Sequence, residues 1–160
     1  MDSNEMGNSE ERMILRPVDG ENWRDVAGLN VREAQRKFVA EPCYYLALCS
    51  YGDLWKPLAI FLGEQVIGFM MWAVDPDDGS CWLGGILVDE SVQGRGYGGR
   101  AVQEAIRMLH EANGFGEFAL SYQPANRAAR HLYGKLGFVK GDEWEDDEVV
   151  ARLSLGGREG

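Results

Sequence analysis

The sequence predicts a mixed α/β (α+β) domain in which a mostly antiparallel central sheet is flanked by helices. Two apolar runs of strand composition, 56–62 and 65–74, are separated only by Gly63-Glu64, the two-residue connection of a hairpin. A third run at 80–88 follows the turn Pro76-Asp77-Asp78-Gly79, so an antiparallel meander is expected before residue 90. Beyond it, helix-spaced and strand-like segments alternate as a β-α-β unit, which places all the strands in one mixed sheet.

The elements follow in order. Residues 1–12 are polar and aperiodic and 156–160 are glycine-rich, so both are expected as disordered tails on a folded domain at 13–155. A chain of 160 residues with 45% hydrophobic content can bury one substantial core, and a second domain is not expected. A strand is predicted at 14–18, then a turn at Asp19-Gly20 and an amphipathic helix at 21–30. A second helix is predicted at 43–50, whereas 32–42 has no decided pattern. Ala101, Val102, Ala105, Ile106 and Leu109 recur at helical spacing and give a helix at 98–113. A strand at 118–122, a helix at 126–136 and closing strands at 138–144 and 149–155 complete the order β-α-α-β-β-β-α-β-α-β-β.

The formal net charge of −10 argues against nucleic acid as a partner, because neutralising phosphates requires clustered Lys and Arg. Residues 1–12 carry −3 of it, so the rest of the chain is still acidic, as would suit a cationic small substrate. No apolar run approaches the ~18 residues of a membrane span, and Met1-Asp2-Ser3-Asn4-Glu5 lacks the basic-then-apolar pattern of a secretory signal. A soluble, cytoplasmic protein without a membrane partner is expected. Cys43, Cys49 and Cys81 form no CxxC pair, and His110 and His131 are not spaced as a ligand pair, so no metal is assigned.

The segment Gln93-Gly94-Arg95-Gly96-Tyr97-Gly98-Gly99 carries the chemistry. Its glycines satisfy GxGxxG by letter, but a dinucleotide fold places that fingerprint in the first β-α turn, with an acidic residue ending the next strand. Here a meander precedes the loop and the next strand ends at Ser121-Tyr122. No Gly-Lys-Ser/Thr follows, which removes the Walker A reading. The shared physics remains: glycines let backbone N–H groups converge and the following helix N-terminus attracts an anion, so a pyrophosphate can be held. A strand-to-helix turn without ligand is the plainer alternative for a glycine cluster taken alone.

The stretch from Leu87 to Gly98 resembles the acetyl-CoA-binding motif of the GNAT superfamily of N-acetyltransferases, with Gln93, Gly96 and Gly98 at its recurring positions. A second block, Asn126, Ala129, Leu132-Tyr133 and Gly137-Phe138, resembles the same superfamily after its fifth strand. The resemblance implies the GNAT fold, splayed between the fourth and fifth strands, over nearly the whole domain. It implies acetyl-CoA as donor, bound by Ile86, Leu87, Val88, Gln93, Gly94, Arg95, Gly96, Tyr97, Gly98, Gly99, Asn126, Ala129 and Tyr133. Within the superfamily, Glu33 to Ala40, Pro57 to Phe61 and Val66 to Met70 are similar to a group that includes bacterial spermine/spermidine acetyltransferases.

The reaction so implied is direct attack of a primary amine on the acetyl thioester, through a tetrahedral intermediate whose oxyanion an N–H near Val88 would stabilise. An alkylamine has a pKa of about 10.4, so a proton must be removed before attack. Glu33, Glu41, Asp89 and Glu90 are candidate bases, although each is more commonly a surface charge. By the same resemblance Tyr133 protonates the leaving thiolate, against the plainer reading of a core tyrosine in the stripe of Ala129, Leu132 and Leu136. Asn126 could bond the pantetheine arm, cap a helix, or do both.

For the acceptor, Glu33, Glu41, Trp72 and Asp89 are the substrate-binding candidates. The acidic runs Asp75 to Asp78 and Glu143 to Glu148 could attract a polycation, and Trp82, Tyr44 and Tyr45 could wall its chain. The expected function is acetyl transfer to a small cationic amine such as spermidine or spermine, in a monomer or homodimer. Aminoglycoside or peptide acetylation and a non-catalytic acyl-CoA-binding module are the alternatives.

Overall fold

A computed structural model describes residues 12–156. The tails expected at 1–12 and 156–160 lie outside that range except for Arg12 and Gly156. Seven strands form one sheet: β1 (Met13–Pro17), β2 (Lys56–Leu62), β3 (Gln65–Val74), β4 (Cys81–Val88), β5 (Glu117–Tyr122), β6 (Val139–Glu145) and β7 (Glu148–Ser154). Four α-helices accompany them: α1 (Trp23–Ala27), α2 (Pro42–Tyr51), α3 (Tyr97–Asn113) and α4 (Arg127–Lys135). The strand order is β1-β2-β3-β4-β5-β7-β6, antiparallel at every pair except β4 with β5. The β4-α3-β5 crossover makes that pair parallel, since parallel neighbours need a long connection.

Each face of the sheet carries its own core. On one face Leu58, Ile60, Cys81, Leu83, Phe118, Leu120, Val149 and Ala151 pack against Ala101, Val102, Ala105 and Leu109 of α3 and Tyr133 of α4. On the other, Ala59, Phe69, Met71 and Leu87 pack against Val26 and Leu29, with Tyr45, Leu46 and Leu48 of α2 half-buried beside them. The alternation of 118, 120 and 122 with 119 and 121 is the strand period that separates the faces.

Two bulges reset that alternation. Between the pairs Ile60↔Gly68 and Phe61↔Val66, the extra residue Ile67 shifts the register of β3. Between Phe69↔Leu87 and Met71↔Gly84, Gly85 and Ile86 together oppose Met70, and Gly85 takes φ +59. Leu87 therefore joins the α1/α2 face although Cys81 and Leu83, the same parity along β4, join the other. The bulge turns the end of β4 and lets Ile86 pack on the α3/α4 side.

Strand boundaries match expectation to within a residue or so, as helix and strand ends commonly do. The helix expected at 21–30 is the main departure. It is confined to Trp23–Ala27 because Asn22 and Asp19 close a turn before it, the Asp19 carboxylate accepting from Asn22 N at 3.1 Å, and Gly28 ends it by donating to Arg24 O at 3.1 Å. The undecided stretch holds a 3-10 turn at Glu33–Gln35, and Pro42 opens α2, where its missing N–H is no loss. Among the described residues, no helix is long and apolar enough to cross a membrane.

Candidate functional site

The end of β4 pairs with β3 on one side, Val88 opposite Gly68, and side chains shape the turn that follows it. Asp89 accepts from Asn30 N at 2.9 Å and from Ser91 N at 3.1 Å, capping a 3-10 turn at Glu90–Val92. Burial pushes its carboxyl up, yet these bonds together with that from the Ser91 hydroxyl outweigh burial and hold it below the ordinary range. Gln93 then donates from Nε2 to Val88 O at 2.7 Å and to Gln35 Oε1 at 2.9 Å. Gly94 and Gly96 take φ +83 and +82, the left-handed region that glycine occupies without strain. The first bond into α3 runs from Arg100 N to Gly96 O at 3.1 Å, so the N–H groups of Tyr97, Gly98 and Gly99 have no acceptor within the helix. They form the positive end of a 17-residue helix.

A cavity of about 540 Å³ lies over this loop. Ile86, Leu87, Val88, Gln93, Gly94, Gly96, Tyr97, Gly98, Asn126, Ala129 and Tyr133 all line it. Arg95 and Gly99 do not; Arg95 is exposed, and at Gly99 a Cβ would sit 3.1 Å from Leu132 Cδ1, which marks it as the close approach of α3 to α4. Asn126 caps α4, its side chain accepting from Ala129 N at 3.1 Å. The cavity also touches Arg32, Gln35 and Arg127.

A second cavity, of about 440 Å³, opens where β4 and β5 part. These strands pair only at Cys81↔Phe118 and Trp82↔Ala119, so beyond Trp82 the β4 backbone has no ladder on that side. Phe38, Val39, Ile86, Asn126, Ala129 and Tyr133 line both cavities and form their common wall. The two differ in charge. Among the described residues, Asp75, Glu145 and Glu148 line the 440 Å³ cavity and no Lys, Arg or His does; Arg32 and Arg127 line the 540 Å³ cavity and no Asp or Glu does.

Tyr133 stands at the junction. Its ring packs edge-on to Phe138 at 6.2 Å and tilted on Tyr122 at 6.0 Å. Burial, with the charge of Glu148 added, pushes its pKa up to about 12, so the phenol keeps its proton at neutral pH. Burial likewise raises Tyr45 across the cavity, where a bond from Ala40 N opposes and Glu148 adds to the rise. Glu148 is held by Ser121, whose Oγ donates to Oε1 at 2.6 Å. Nothing in the sequence marked Ser121 beyond its being polar in an apolar strand.

The substrate-binding candidates Glu33, Glu41, Trp72 and Asp89 line neither cavity. Glu33 and Glu41 are exposed at the starts of the 3-10 turn and of α2, outside both cavities. Trp72 packs edge-on to Phe115 at 5.9 Å beneath Lys56 Nζ at 5.3 Å, and Asp89 is the cap already described. Asp78 and Glu143 are bridged by Arg152, at 3.4 and 2.7 Å. Trp82 and Tyr45 do line the acidic cavity, whereas Tyr44 is exposed. Burial raises the Cys81 thiol to about 12, leaving it inert. Among the described residues, no group of three or more His, Cys, Asp or Glu is placed to hold a metal.

A family model described as the acetyltransferase (GNAT) family matches residues 23–138. The spermine/spermidine N(1)-acetyltransferase of Bacillus subtilis is 25% identical over 130 residues, 78% of this chain and 86% of that protein. Among solved structures, the spermidine N-acetyltransferase of Vibrio cholerae in complex with CoA and spermine superposes with a TM-score of 0.69 at 17% identity, covering 88% of this chain and 92% of that one. An aminoglycoside acetyltransferase in complex with coenzyme A gives 0.72 at 16%, covering 89% and 95%. At such identities these structures speak for the fold, a mixed sheet with one parallel pair at β4-β5. With its model spanning well over half of the residues, the chain belongs to the acetyltransferase (GNAT) family.

Proposed function

We propose that the protein transfers the acetyl group of acetyl-CoA to a primary amine of a small cationic acceptor of the polyamine class, such as spermidine or spermine. One observation carries the reading: two cavities of opposite charge share a wall at Tyr133. The basic cavity, with its convergent loop glycines and unpaired helix N–H groups, suits the phosphates of the donor. Arg32 and Arg127 would add charge there, and the unladdered edge of β4 would pair with pantetheine amides as an added strand does. The acidic cavity suits an ammonium, and Trp55, Leu54 and Met71 give its methylene chain an apolar wall.

In this reading the amine attacks the thioester where the cavities meet, an N–H near Val88 steadies the developing oxyanion, and Tyr133 protonates the departing sulfur. Aminoglycosides and peptide N-termini are also cationic, and the B. subtilis relative favours polyamines over them. A mass-spectrometric transfer assay with acetyl-CoA and each acceptor class tests the proposal. Mono-acetylated polyamine is the expected product, and absence of transfer to every amine would overturn it in favour of a non-catalytic acyl-CoA-binding module.

A further inference from the structure

We infer that Glu148, held by Ser121, is the residue that anchors the reacting ammonium of the acceptor; this rests on the transfer reaction proposed above. Its hydrogen bond, its charge and the cavity it lines support this. Ser121 Oγ donates to one carboxylate oxygen, Oε1, at 2.6 Å, which fixes the carboxylate and leaves the other oxygen to receive a cation's proton. Glu148 lines the acidic cavity together with Tyr133 from α4 and Tyr45 from α2, and its charge adds to the rise in the pKa of both. Tyr133, only 9% exposed, has a hydroxyl with no hydrogen-bond partner among the described residues, although it lines both cavities. A buried hydroxyl left without a protein partner at a cavity wall is one that a ligand completes.

The register explains how the carboxylate arrives there. Ser121 pairs with Val150 and Tyr122 with Val149, so Glu148 lies one step past the end of β5 on the same face as Ser121. At that end β4 has already turned away, and Glu148 borders the gap. Asp75 and Glu145 also line the cavity. Neither has a hydroxyl donor holding it as Ser121 holds Glu148, and Asp75 Oδ1 accepts from Asp77 N at 2.9 Å within its own turn. Selectivity for alkylammonium over neutral amines follows from an anchored anion in a cavity without compensating cations.

Glu148→Gln tests this cleanly, since the amide oxygen still accepts from Ser121 and only the charge is lost. Calorimetry with spermidine on CoA-saturated protein is expected to show binding about tenfold to a hundredfold weaker than in the wild type. The KM for spermidine should rise in parallel while CoA affinity is unchanged, which also reports that the variant is folded. Glu148→Asp should recover part of the affinity, and Ser121→Ala should weaken it by a smaller factor. Equal spermidine affinity in wild type and Glu148→Gln, or no spermidine binding to the wild type, overturns the assignment. Spermidine binding that depends on Glu148 without any acetyl transfer would leave the subsite standing and remove the reaction.

Discussion

The Gln93 side-chain amide donates to the Val88 carbonyl oxygen at 2.7 Å, tying the glycine loop to the last residue of β4. Its Nε2 also donates to Gln35 Oε1 at 2.9 Å, so one amide group fastens the 33–35 turn to both. The side chain therefore shapes the loop from behind. Gln93→Glu replaces that donor with an acceptor facing a carbonyl oxygen, at a cost of about 1–3 kcal/mol. CoA affinity, read by calorimetry, should fall about tenfold or more; unchanged affinity would show that the clasp does not set the loop.

Tyr133→Phe removes one oxygen from a buried ring whose packing on Phe138 and Tyr122 is otherwise kept. The expected result is a fall in kcat of about 10²-fold or more with CoA affinity preserved. Steady-state kinetics paired with CoA binding distinguishes this from a packing effect, which would weaken both. Retained kcat would exclude the proton-donor role.

Alkaline pH should loosen the fold, with Tyr133 and Cys81 the most strongly raised groups. Burial, with Glu148 adding to it, raises Tyr133 to about 12, and burial raises Cys81 to about 12. Each holds its proton more tightly folded than unfolded. The stabilisation is thus complete below the ordinary values, about 9 for Cys and 10 for Tyr, and is lost as pH rises through 12. Thermal melts taken from about pH 8 to pH 11.5 should show Tm falling, and the double variant Tyr133→Phe, Cys81→Ala should flatten that fall. A slope that persists undiminished in the double variant would assign it to other groups.

Gly96 separates conformation from space. A Cβ there would meet nothing within 4 Å, yet the residue sits at φ +82 as the N-cap of α3. Gly96→Ala should lower stability by about 1–2 kcal/mol from backbone strain alone and weaken CoA binding as the loop relaxes. Denaturant unfolding with and without CoA measures both effects, and a neutral substitution would mean that the loop tolerates another backbone path.

Asn126 carries a cap whose loss is separable from the chemistry. Its side chain accepts from Ala129 N at 3.1 Å at the start of the nine-residue α4. Asn126→Ala should cost about 1 kcal/mol, and Asn126→Asp, which keeps the acceptor, should cost less. If both variants lose CoA affinity equally while differing in stability, the side-chain N–H₂ takes part in donor binding as well.

The sequence by itself determined the elements and the place of the glycine loop. β2 at Lys56–Leu62 and β3 at Gln65–Val74 fall where contiguous apolar runs flank Gly63-Glu64, because strand composition and a two-residue turn are local properties. The glycines of the loop and the cap at Asn126 are local as well, since a positive φ and a side-chain-to-backbone bond each involve only a few consecutive residues. Tertiary structure alone decided where the acidic cavity lies. The bulge at Gly85 turns the end of β4, β5 keeps only two pairs with it, and Glu148 from β7 and Tyr133 from α4 both line the gap. In the sequence Glu148 is one letter of an acidic run, indistinguishable from Glu143, which an ion pair with Arg152 occupies at the surface. Register and splay separate the two, and these depend on pairings between segments far apart in the chain, which no local pattern of hydrophobicity encodes.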